Sequence, residues 1–441
     1  MIKHERLLRV AIVGSGPAAF FCADYLLRLS QPCEVCMIEQ RPTPFGLVRD
    51  AVAPDRMNIR SVSQSFERIA EHAGFSWFGN VRVGRDVTVS EMQRYFDAVI
   101  IATGASTPRR LDIQGEELSQ YYSASAFAGW YNGSLDHAAL HPDLSQPAAV
   151  IIGAGNAALD VARLLTTPPE SLAASDISST ALRVLRESNI SDVHVVARRG
   201  PLEARFHPDE LHHLAAIPEC RVVMHTSLND SNAELSPGCQ QLLEAYQRLV
   251  QTQQDKIMAK RRIHLHFNLT PFAILGDDAV EGVLFLDASE TPVHIACGLA
   301  IAGIGHYGVG VESVPYDPER GVVPNSQGRV LDAATTMPGI YTAGWVKRGA
   351  HGVIGANKPC CRETVQSIMD DRDQLLSETR EDSAGFVTLL KERGIRYLTY
   401  RDWQQIDAAE KQQGIQQQKA RERFHSTETM LSLLTTKSAG Q

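Results

Sequence analysis

Two glycine-rich stretches of this 441-residue chain share the spacing G-x-G-x-x-A. They read GSGPAA at residues 14–19 and GAGNAA at residues 153–158. In this spacing the first glycine permits a tight turn, the second lets the backbone approach a pyrophosphate, and the small last residue allows a helix to pack closely on a strand. The free N–H groups at the start of that helix can bind the anion. Both stretches are therefore predicted to bind a dinucleotide.

The residues beyond each stretch indicate which dinucleotide it binds. Glu39 ends the segment CEVCMIE, about 20 residues after the first turn, where a carboxylate accepts hydrogen bonds from a ribose 2′-OH. This is typical of FAD or NAD sites. The segment DVHVVARRG instead ends in Arg198 and Arg199. Two guanidinium groups can bind a 2′-phosphate bidentately, so the second site is predicted to take NADP(H).

The elements that must position these residues follow from apolar periodicity. Short β-branched runs at Val10–Val13 and Val150–Ile152 lead into the two glycine turns, and apolar residues with helical spacing follow each turn. Another apolar strand, in FDAVIIATGA, lies between the two copies. The segment GIYTAGWVKRGAHGVIGANK, which contains Trp345, is expected to return to the first unit. The order strand, turn, helix predicts an α/β protein with two Rossmann-like domains.

Composition restricts the class of protein further. The chain is 44% hydrophobic, which suffices for a large core, and its net charge of −8 argues against nucleic-acid binding. No apolar run reaches membrane-spanning length, and no signal peptide precedes the first predicted strand. We therefore expect a cytoplasmic protein without a membrane span. The spacing of His207, His212 and His213 does not fit a zinc site, so no metal is expected.

Two cysteine pairs could take part in redox chemistry. Cys33 and Cys36 fall on a predicted strand, where residues three apart point to opposite faces, so core packing is favoured over a redox pair. Cys360 and Cys361 are adjacent near the end of the last glycine-rich segment. Small residues at a helix start are the favoured interpretation there, and a vicinal disulfide or a reactive thiol is the alternative. In a cytoplasmic protein the eight cysteines predict no disulfide framework.

Several further motifs carry a resemblance to a known family. They are VGSGPAAFF, PFGLVR, VAPD, FGNVRVGRDVTVSEM, IATGA, AFAGWYNG, GAGNAALDVARLL, ARRGP, YDPERGVVPN, GWVKRGAHGVIGANK and DWQQIDAAE. On these motifs the chain resembles the ferredoxin–NADP reductases of the adrenodoxin-reductase type, a branch of the glutathione-reductase-like flavoproteins. The resemblance extends over essentially the whole chain.

This resemblance implies a glutathione-reductase-like fold in which the second Rossmann-like domain is inserted into the first. The expected boundaries are 1–106 and 323–441 for a discontinuous FAD-binding domain and 107–322 for the NADP-binding domain. The implied FAD contacts are Gly14, Gly16, Ala18, Glu39, Gly46, Leu47, Val83, Trp345, Gly352, Val353 and Ile354. The implied NADP contacts are Gly155, Asn156, Ala157, Arg198, Arg199, Glu210 and Gly352.

The chain departs from the family pattern at three places. Arg56 stands where the family usually has a histidine beside the flavin, and His213 stands where it usually has a second glutamate. Pro359, Cys360 and Cys361 replace polar and acidic residues. If Arg56 faces the flavin, its charge is expected to favour the anionic reduced form. His213 is the candidate proton relay, since imidazole titrates near neutral pH.

These residues are compatible with three functions. The first is an NADPH-dependent FAD reductase that passes single electrons to a small acidic ferredoxin or similar iron–sulfur protein. The segment KIMAKRRIH is then a candidate docking patch, with a solvated helix end as the alternative. The second is a specialised oxidoreductase or monooxygenase acting on oxygen or a small molecule, motivated by Arg56 and His213. The third, a nucleotide-sensing paralogue without turnover, is disfavoured by the intact arginine pair.

Overall fold

The computed structural model of the protein describes residues 6–226, 236–253, 256 and 258–438. In chain order the strands are β1 (Leu8–Val13), β2 (Cys33–Ile38), β3 (Phe75–Phe78), β4 (Ala98–Ile101), β5 (Thr107–Pro108), β6 (Tyr121–Ser123), β7 (Ala148–Ile152), β8 (Asp192–Val196), β9 (Cys220–Met224), β10 (Arg261–His266), β11 (Thr270–Leu275), β12 (Gly282–Leu286), β13 (Pro292–Ala296), β14 (Leu299–Ala302), β15 (His306–Tyr307), β16 (Asn325–Ser326), β17 (Arg329–Asp332) and β18 (Thr335–Thr342).

The helices in chain order are α1 (Pro17–Leu27), α2 (Leu47–Asp50), α3 (Met57–Arg60), α4 (Val62–Ala70), α5 (Val89–Met92), α6 (Ala124–Asn132), α7 (Asn156–Thr166), α8 (Pro169–Leu172), α9 (Ser179–Arg186), α10 (Asp209–Ala215), α11 (Pro237–Thr252), α12 (Trp345–Arg348), α13 (Asn357–Asp370), α14 (Arg372–Ser377), α15 (Ser383–Glu392), α16 (Tyr400–Gln416) and α17 (Thr427–Ser438).

The first sheet contains strands from both ends of the chain. Its order is β16-β17-β18-β4-β1-β2-β3, and β1 pairs in parallel with β2 and β4. Strand β18 pairs in parallel with β4, so the segment around Trp345 returns to the first unit as the sequence predicts. We call this sheet and the helices that cover it the first unit.

The second sheet is built from the middle of the chain. Its order is β6-β14-β7-β8-β10-β9, and every neighbouring pair of strands is parallel. The antiparallel sheet β11-β12-β13 packs on one face of it through Val150, Phe285 and Ile295. We call this part the second unit, and it is inserted into the first.

A short antiparallel ribbon links the two units. Strand β5, which follows the first unit in the chain, pairs with β15, which follows the second sheet. Thr107 lies opposite Tyr307, and Pro108 lies opposite His306. The chain therefore enters and leaves the second unit at one place.

Both faces of the first sheet are covered, which explains the continuous apolar run of β1. Val10 and Ile12 contact the core that contains α1, whereas Ala11 and Val13 contact the core on the opposite face. Strands that are buried on both faces read as uninterrupted apolar segments. Strand β2 shows the same alternation: Cys33 packs on the first face and Cys36 on the second. The two thiols therefore point apart, as expected.

One predicted helix is shorter than the sequence suggested. The polar segment of residues 236–262 predicts a long helix from its sequence, but α11 ends at Thr252 and Arg261 begins strand β10. In RRIHLH the apolar residues alternate, and Ile263 and Leu265 are buried while their neighbours are not. This period of two is that of a strand, so the charged end of KIMAKRRIH is not a helix end.

Four histidines lie together on one face of the second sheet. They belong to β8 and β10 and to the residue after β9. His194 Nδ1 lies 3.1 Å from His266 Nε2, and His225 Nε2 lies 2.9 Å from His264 Nδ1. In each nitrogen pair one ring must be an unprotonated acceptor. Burial and the neighbouring imidazoles lower the pKa of His194 to about 4 and that of His266 to about 3.

These depressed pKa values predict acid sensitivity. Between pH 6.5 and 4 the unfolded chain binds more protons at these histidines than the folded chain, so the free energy of unfolding falls as the pH falls. We expect a loss of about 2 kcal/mol between pH 7 and 5, after allowance for solvent screening of half-buried rings. Urea titrations at both pH values measure it. The variant His194→Gln should lose less stability on acidification, whereas His141→Gln, at an exposed position away from the cluster, should match the parent. Equal losses in all three proteins would contradict this origin.

Candidate dinucleotide-binding sites

The first glycine turn is closed on one side and open on the other. Gly14 has φ of 104°, and a Cβ there would lie 2.6 Å from the carbonyl oxygen of Ala102, at the end of β4. A side chain at Gly14 is therefore excluded by both conformation and space. At Gly16, which caps the N-terminus of α1, no heavy atom lies within 4 Å of a Cβ. The turn thus leaves an open cradle at the helix start that fits a pyrophosphate.

Glu39 follows β2 directly and is held in place by three hydrogen bonds. Its Oε2 accepts from the backbone N of Ser15 at 2.9 Å and from Ser15 Oγ at 2.7 Å, and its Oε1 accepts from the backbone N of Arg41 at 3.0 Å. A carboxylate has about four acceptor positions, so one remains for a ribose hydroxyl. The carboxylate is thus fixed beside the glycine turn.

Two later segments approach the same turn. The N–H of Phe45 donates to the carbonyl oxygen of Ser15 at 3.0 Å, and a Cβ at Gly46 would lie 3.0 Å from Gly16 Cα. A Cβ at Gly344 would lie 2.5 Å from Ala18 Cβ. The structure therefore brings Gly46, with Leu47 next to it, and the start of α12 to the N-terminus of α1.

The remaining residues expected near FAD lie on two loops. Trp345 begins α12, and its Nε1 donates to the carbonyl oxygen of His351 at 3.2 Å. Gly352, the 56% exposed Val353 and the half-buried Ile354 follow on the same loop. Val83 lies in the loop after β3, where it forms a bridge with Val87. The loop around Trp345 reaches the glycine turn through Gly344, and Val83 packs against the core that contains Val13 and Ile38.

The second glycine turn repeats the construction of the first. Gly153 has φ of 120°, and a Cβ there would lie 2.4 Å from the carbonyl oxygen of Gly303. At Gly155, which caps α7, no heavy atom lies within 4 Å of a Cβ. Asn156 Oδ1 accepts a hydrogen bond from the backbone N of His207 at 2.9 Å, and Ala157 is exposed on the first turn of α7. The second unit therefore has its own cradle.

Arg198 and Arg199 lie just beyond the end of β8 and are both exposed. Among the residues that the structure describes, neither guanidinium group forms an ion pair or a hydrogen bond with another side chain or with the backbone. The carbonyl oxygen of Arg199 accepts from Asn268 N at 3.3 Å. Two free guanidinium groups at this position fit a 2′-phosphate.

Arg56 lies at the contact between the two units. Its Nε and Nη2 donate to Asp160 Oδ1 at 2.9 and 2.8 Å, and Nη2 also donates to Glu210 Oε2. Its Nη1 donates to His213 Nδ1 at 2.9 Å. Because that nitrogen accepts, the proton of the neutral ring is on Nε2. Arg56 and Glu210 are buried, whereas 45% of the His213 side chain is exposed.

These contacts change the expectation for Arg56. A free positive charge facing the flavin was expected to favour the anionic reduced form. The structure gives Arg56 two carboxylate partners, so its charge is compensated within 3 Å or less. A compensated guanidinium group has a much weaker effect on a more distant group than a free one.

Three members of this cluster, Asp55, Asp160 and Arg163, were not predicted from the sequence. Asp160 and Arg163 lie on α7, and Arg163 donates to both carboxylate oxygens of Asp55, with 2.9 Å from Nη2 to Oδ1. Arg163 Nη2 also lies 3.2 Å from Asp160 Oδ1. The signal was present in NAALDVARLL, where two opposite charges three residues apart interrupt an otherwise apolar helix.

The candidate docking patch in KIMAKRRIH is largely occupied by contacts within the chain. Lys256 Nζ donates to the carbonyl oxygens of Ala215 and Ile217 at 2.7 and 2.9 Å. The other pairs are Lys260 with Glu219 at 3.2 Å and Arg262 with Asp192 at 2.6 Å. Arg261 remains as the fourth cation of the segment. Two of the four cations, Lys260 and Arg262, are thus paired with carboxylates, whereas the bonds of Lys256 to neutral carbonyl groups leave its charge uncompensated. The segment as a docking patch stays a prediction.

All eight cysteines are free thiols. Cys360 and Cys361 lie in the first turn or two of α13, as favoured from the sequence, and they are not joined in a vicinal disulfide. Cys361 is buried and donates to the carbonyl oxygen of Ala18 at 3.3 Å, and Cys360 Sγ accepts from Gly344 N at 3.3 Å. Burial raises the pKa of the Cys360 thiol. The favoured packing role therefore agrees with the structure.

Two cradles of matching geometry, one in each sheet, define a flavoprotein-type oxidoreductase with two dinucleotide-binding domains. Residues 8–217 match the family model described as pyridine nucleotide-disulphide oxidoreductase. The chain is 36% identical to the mitochondrial NADPH:adrenodoxin oxidoreductase of Arabidopsis thaliana, over 97% of this chain and 95% of that protein. It is 40% identical to a probable ferredoxin/ferredoxin–NADP reductase of Mycobacterium leprae, over 98% of this chain and 78% of that protein.

A solved structure shows the same architecture. FprA from Mycobacterium tuberculosis in complex with NADPH matches with a TM-score of 0.91 and 35% identity, over 97% of this chain and 99% of that chain. The chain belongs to the family of NADPH:adrenodoxin oxidoreductases and ferredoxin–NADP reductases. Within the described part of the chain, no helix combines the length and the apolar character that crossing a membrane requires.

Proposed function

We propose that this chain is an NADPH-dependent FAD reductase that delivers single electrons to a ferredoxin-like iron–sulfur protein. One observation carries the proposal: two glycine turns of the same geometry are followed by opposite charges, Glu39 in the first unit and Arg198 with Arg199 in the second. FAD accepts a hydride from NADPH and releases its two electrons one at a time. The names of the relatives, which combine NADPH with adrenodoxin or ferredoxin, support this pairing of donor and acceptor.

The residues of the two cradles have separate tasks. In the first unit the N-terminus of α1 binds the FAD pyrophosphate at Gly14, Gly16 and Ala18, and Glu39 accepts from the ribose. In the second unit the N-terminus of α7 binds the NADPH pyrophosphate, and the arginine pair binds the 2′-phosphate. The other proposed FAD contacts are Gly46, Leu47, Val83, Trp345, Gly352, Val353 and Ile354, and the other NADP contacts are Gly155, Asn156, Ala157, Glu210 and Gly352.

His213 and Arg56 are proposed to act beside these cradles. Arg56 holds the ring of His213 through Nδ1, so the proton of the neutral ring is on Nε2. The side chain of His213 is 45% exposed. A proton relay through this ring requires Nδ1 to release Arg56 and take up a proton while the proton on Nε2 passes to solvent. Arg56 also donates to Glu210, so two of the residues that depart from the family pattern, Arg56 and His213, belong to one hydrogen-bonded group with Glu210.

The domain boundaries and the compartment are also proposals. We propose a discontinuous FAD-binding domain of residues 1–106 and 323–441 and an NADP-binding domain of residues 107–322. The ribbon of β5 and β15 supports these limits, since it lies close to both junctions. A cytoplasmic location is supported by the eight free thiols, which are typical of a reducing compartment.

The purified protein is expected to be yellow with bound FAD, and NADPH is expected to bleach the flavin absorbance rapidly. Anaerobic rapid mixing with NADPH, followed by ferredoxin in one experiment and by oxygen in another, measures both half-reactions. Reoxidation by ferredoxin that is at least tenfold faster than by oxygen supports the proposal. Faster reoxidation by oxygen would favour the specialised oxidoreductase or monooxygenase that the changes at Arg56 and His213 suggest. A colourless protein that takes up no FAD would refute both.

A further inference from the structure

We propose that Asp55, Arg56, Asp160 and Arg163 form an interdomain clasp, which positions the NADPH-binding helix α7 relative to the first unit. The proposal rests on the proposed function for its purpose. The contacts that form it are all between side chains of this chain.

The clasp is built from two crossed ion pairs. Asp55 and Arg56 are neighbours on the loop before α3, and their opposite charges meet Arg163 and Asp160 on α7. Arg163 also contacts Asp160 along the helix at 3.2 Å, which joins the two pairs into one chain of four alternating charges. A shift of the loop by one residue would place like charges opposite each other. The pattern therefore specifies a single register between loop and helix.

The two arginines of the clasp are shielded from solvent, whereas its two carboxylates are 17% and 25% exposed. The side chains of Arg56 and Arg163 are 8% and 9% exposed. Burial alone would raise the pKa of Asp55, but hydrogen bonds from Arg163 hold it below its usual value. Buried ion pairs contribute little net stability, yet breaking one leaves an uncompensated charge and is costly. Such a group fixes an orientation more than it adds stability.

The position of the clasp on α7 gives it an effect on the bound nucleotide. Asp160 lies about one helical turn, roughly 6 Å, from the pyrophosphate-binding start of α7 at Asn156. Displacement of this turn moves the cradle at Gly155 with it, because a helix moves as a rigid rod over so short a distance. Hydride transfer needs reacting atoms about 3–3.5 Å apart, so a shift of 1 Å between the units is expected to slow it strongly.

Other contacts between the units do not replace the clasp. Arg60 Nη1 lies 3.1 Å from Asp176, and Asn132 Nδ2 donates to the carbonyl oxygens of Asp50 and Val52 at 3.1 Å. These bonds hold the same loop against α6 and the segment after α8, and none of them reaches α7. Within the described part of the chain, the ion pairs between the first unit and α7 are therefore those of Asp55 and Arg56.

The test compares Arg56→Gln, Arg56→Lys, Asp160→Asn and the double variant Arg56→Gln with Asp160→Asn in the full-length holoprotein. Arg186→Gln is the matched control, because it breaks an ion pair of Arg186 and Glu170 that is exposed and lies within the second unit. Stopped-flow absorbance gives the limiting rate of flavin reduction and the Kd of NADPH. Hydrogen–deuterium exchange without nucleotide reports on α7 and on the ribbon of β5 and β15.

We expect Arg56→Gln and Asp160→Asn to lower the limiting rate at least tenfold, with the Kd of NADPH changed by less than threefold and the flavin midpoint potential unchanged. The double variant should be no slower than the slower single variant, since both break one clasp, and Arg56→Lys should recover part of the rate. Amide exchange in the ribbon should rise in the variants and not in the control.

Two results would overturn the clasp. One is unchanged exchange of α7 and the ribbon in Asp160→Asn, a measurement that needs no turnover. The other is a shifted midpoint potential in Arg56→Gln with a normal rate in Asp160→Asn, which would make Arg56 an electrostatic rather than a positioning residue. If wild-type flavin is not reduced by NADPH at all, the proposed function fails, while the exchange experiment still decides the clasp.

Discussion

The double variant Arg198→Gln with Arg199→Gln is expected to lose about a hundredfold or more in kcat/KM for NADPH and to keep its kcat/KM for NADH within about twofold. Both guanidinium groups are exposed and free of partners within the described residues, so they are available to a 2′-phosphate. A charge-assisted hydrogen bond contributes roughly 1.5–3 kcal/mol, and each 1.4 kcal/mol corresponds to a factor of ten. Steady-state kinetics with both nucleotides measures the change.

Arg183→Gln is the control for this prediction. Arg183 is an exposed arginine of the same unit, on α9 and away from the end of β8, so its loss should not alter the preference for NADPH. If the parent protein already uses NADH and NADPH equally well, the assignment of Arg198 and Arg199 to the 2′-phosphate is wrong.

The variant Gly155→Val is expected to abolish reduction by NADPH while the protein stays folded, yellow and reducible by dithionite. No heavy atom lies within 4 Å of a Cβ at Gly155, so a valine there does not clash with the protein. It would instead fill the space into which the pyrophosphate approaches the start of α7. We expect NADPH binding to weaken by a factor of a hundred or more, measured by titration of the oxidised protein with NADP⁺.

Variants at two other glycines of the second unit distinguish a loss of nucleotide binding from a loss of folding. Gly238→Val also meets no neighbour within 4 Å, but it lies on the exposed first turn of α11, so NADP⁺ binding should be unchanged. Gly153→Ala places a Cβ 2.4 Å from the carbonyl oxygen of Gly303 at a φ of 120°, so the second unit should lose stability. Normal NADP⁺ binding by Gly155→Val would contradict the cradle.

Local patterns were sufficient to predict the two cradles. The strand, the glycine turn, the helix and the charge at the end of the next strand lie within residues 8–39 in the first unit and 148–199 in the second, and each follows from backbone geometry or phosphate chemistry. The turns at Gly14 and Gly153 close against Ala102 and Gly303, which are distant in sequence. These close approaches explain why glycine is required at both positions. The G-x-G-x-x-A pattern alone is sufficient to predict the position of each turn.

The clasp could not be predicted in the same way. In the sequence Arg56 stands out only as a departure from the family pattern, and the motif places it beside the flavin. Its partners proved to be Asp160 and Glu210, which are 104 and 154 residues away in the chain. Such a pairing depends on how the two units are oriented, and no periodicity or spacing encodes that orientation. The ion pairs of the basic segment at residues 256–262 show the same dependence on the fold, because its partners Glu219 and Asp192 are brought beside it only in the folded protein.

The ribbon in which Thr107 pairs with Tyr307 has a consequence for how such a chain could arise. The two ends of the second unit are hydrogen-bonded neighbours. A complete domain could therefore be inserted into a surface loop of a protein that binds one nucleotide without distorting the sheet of that protein. Insertion is tolerated where the termini of the inserted domain are close together. We expect the reverse operation to work as well: excision of residues 109–305 and closure with a short glycine-containing turn should leave a host that still binds FAD, and flavin absorbance of the excised protein measures this.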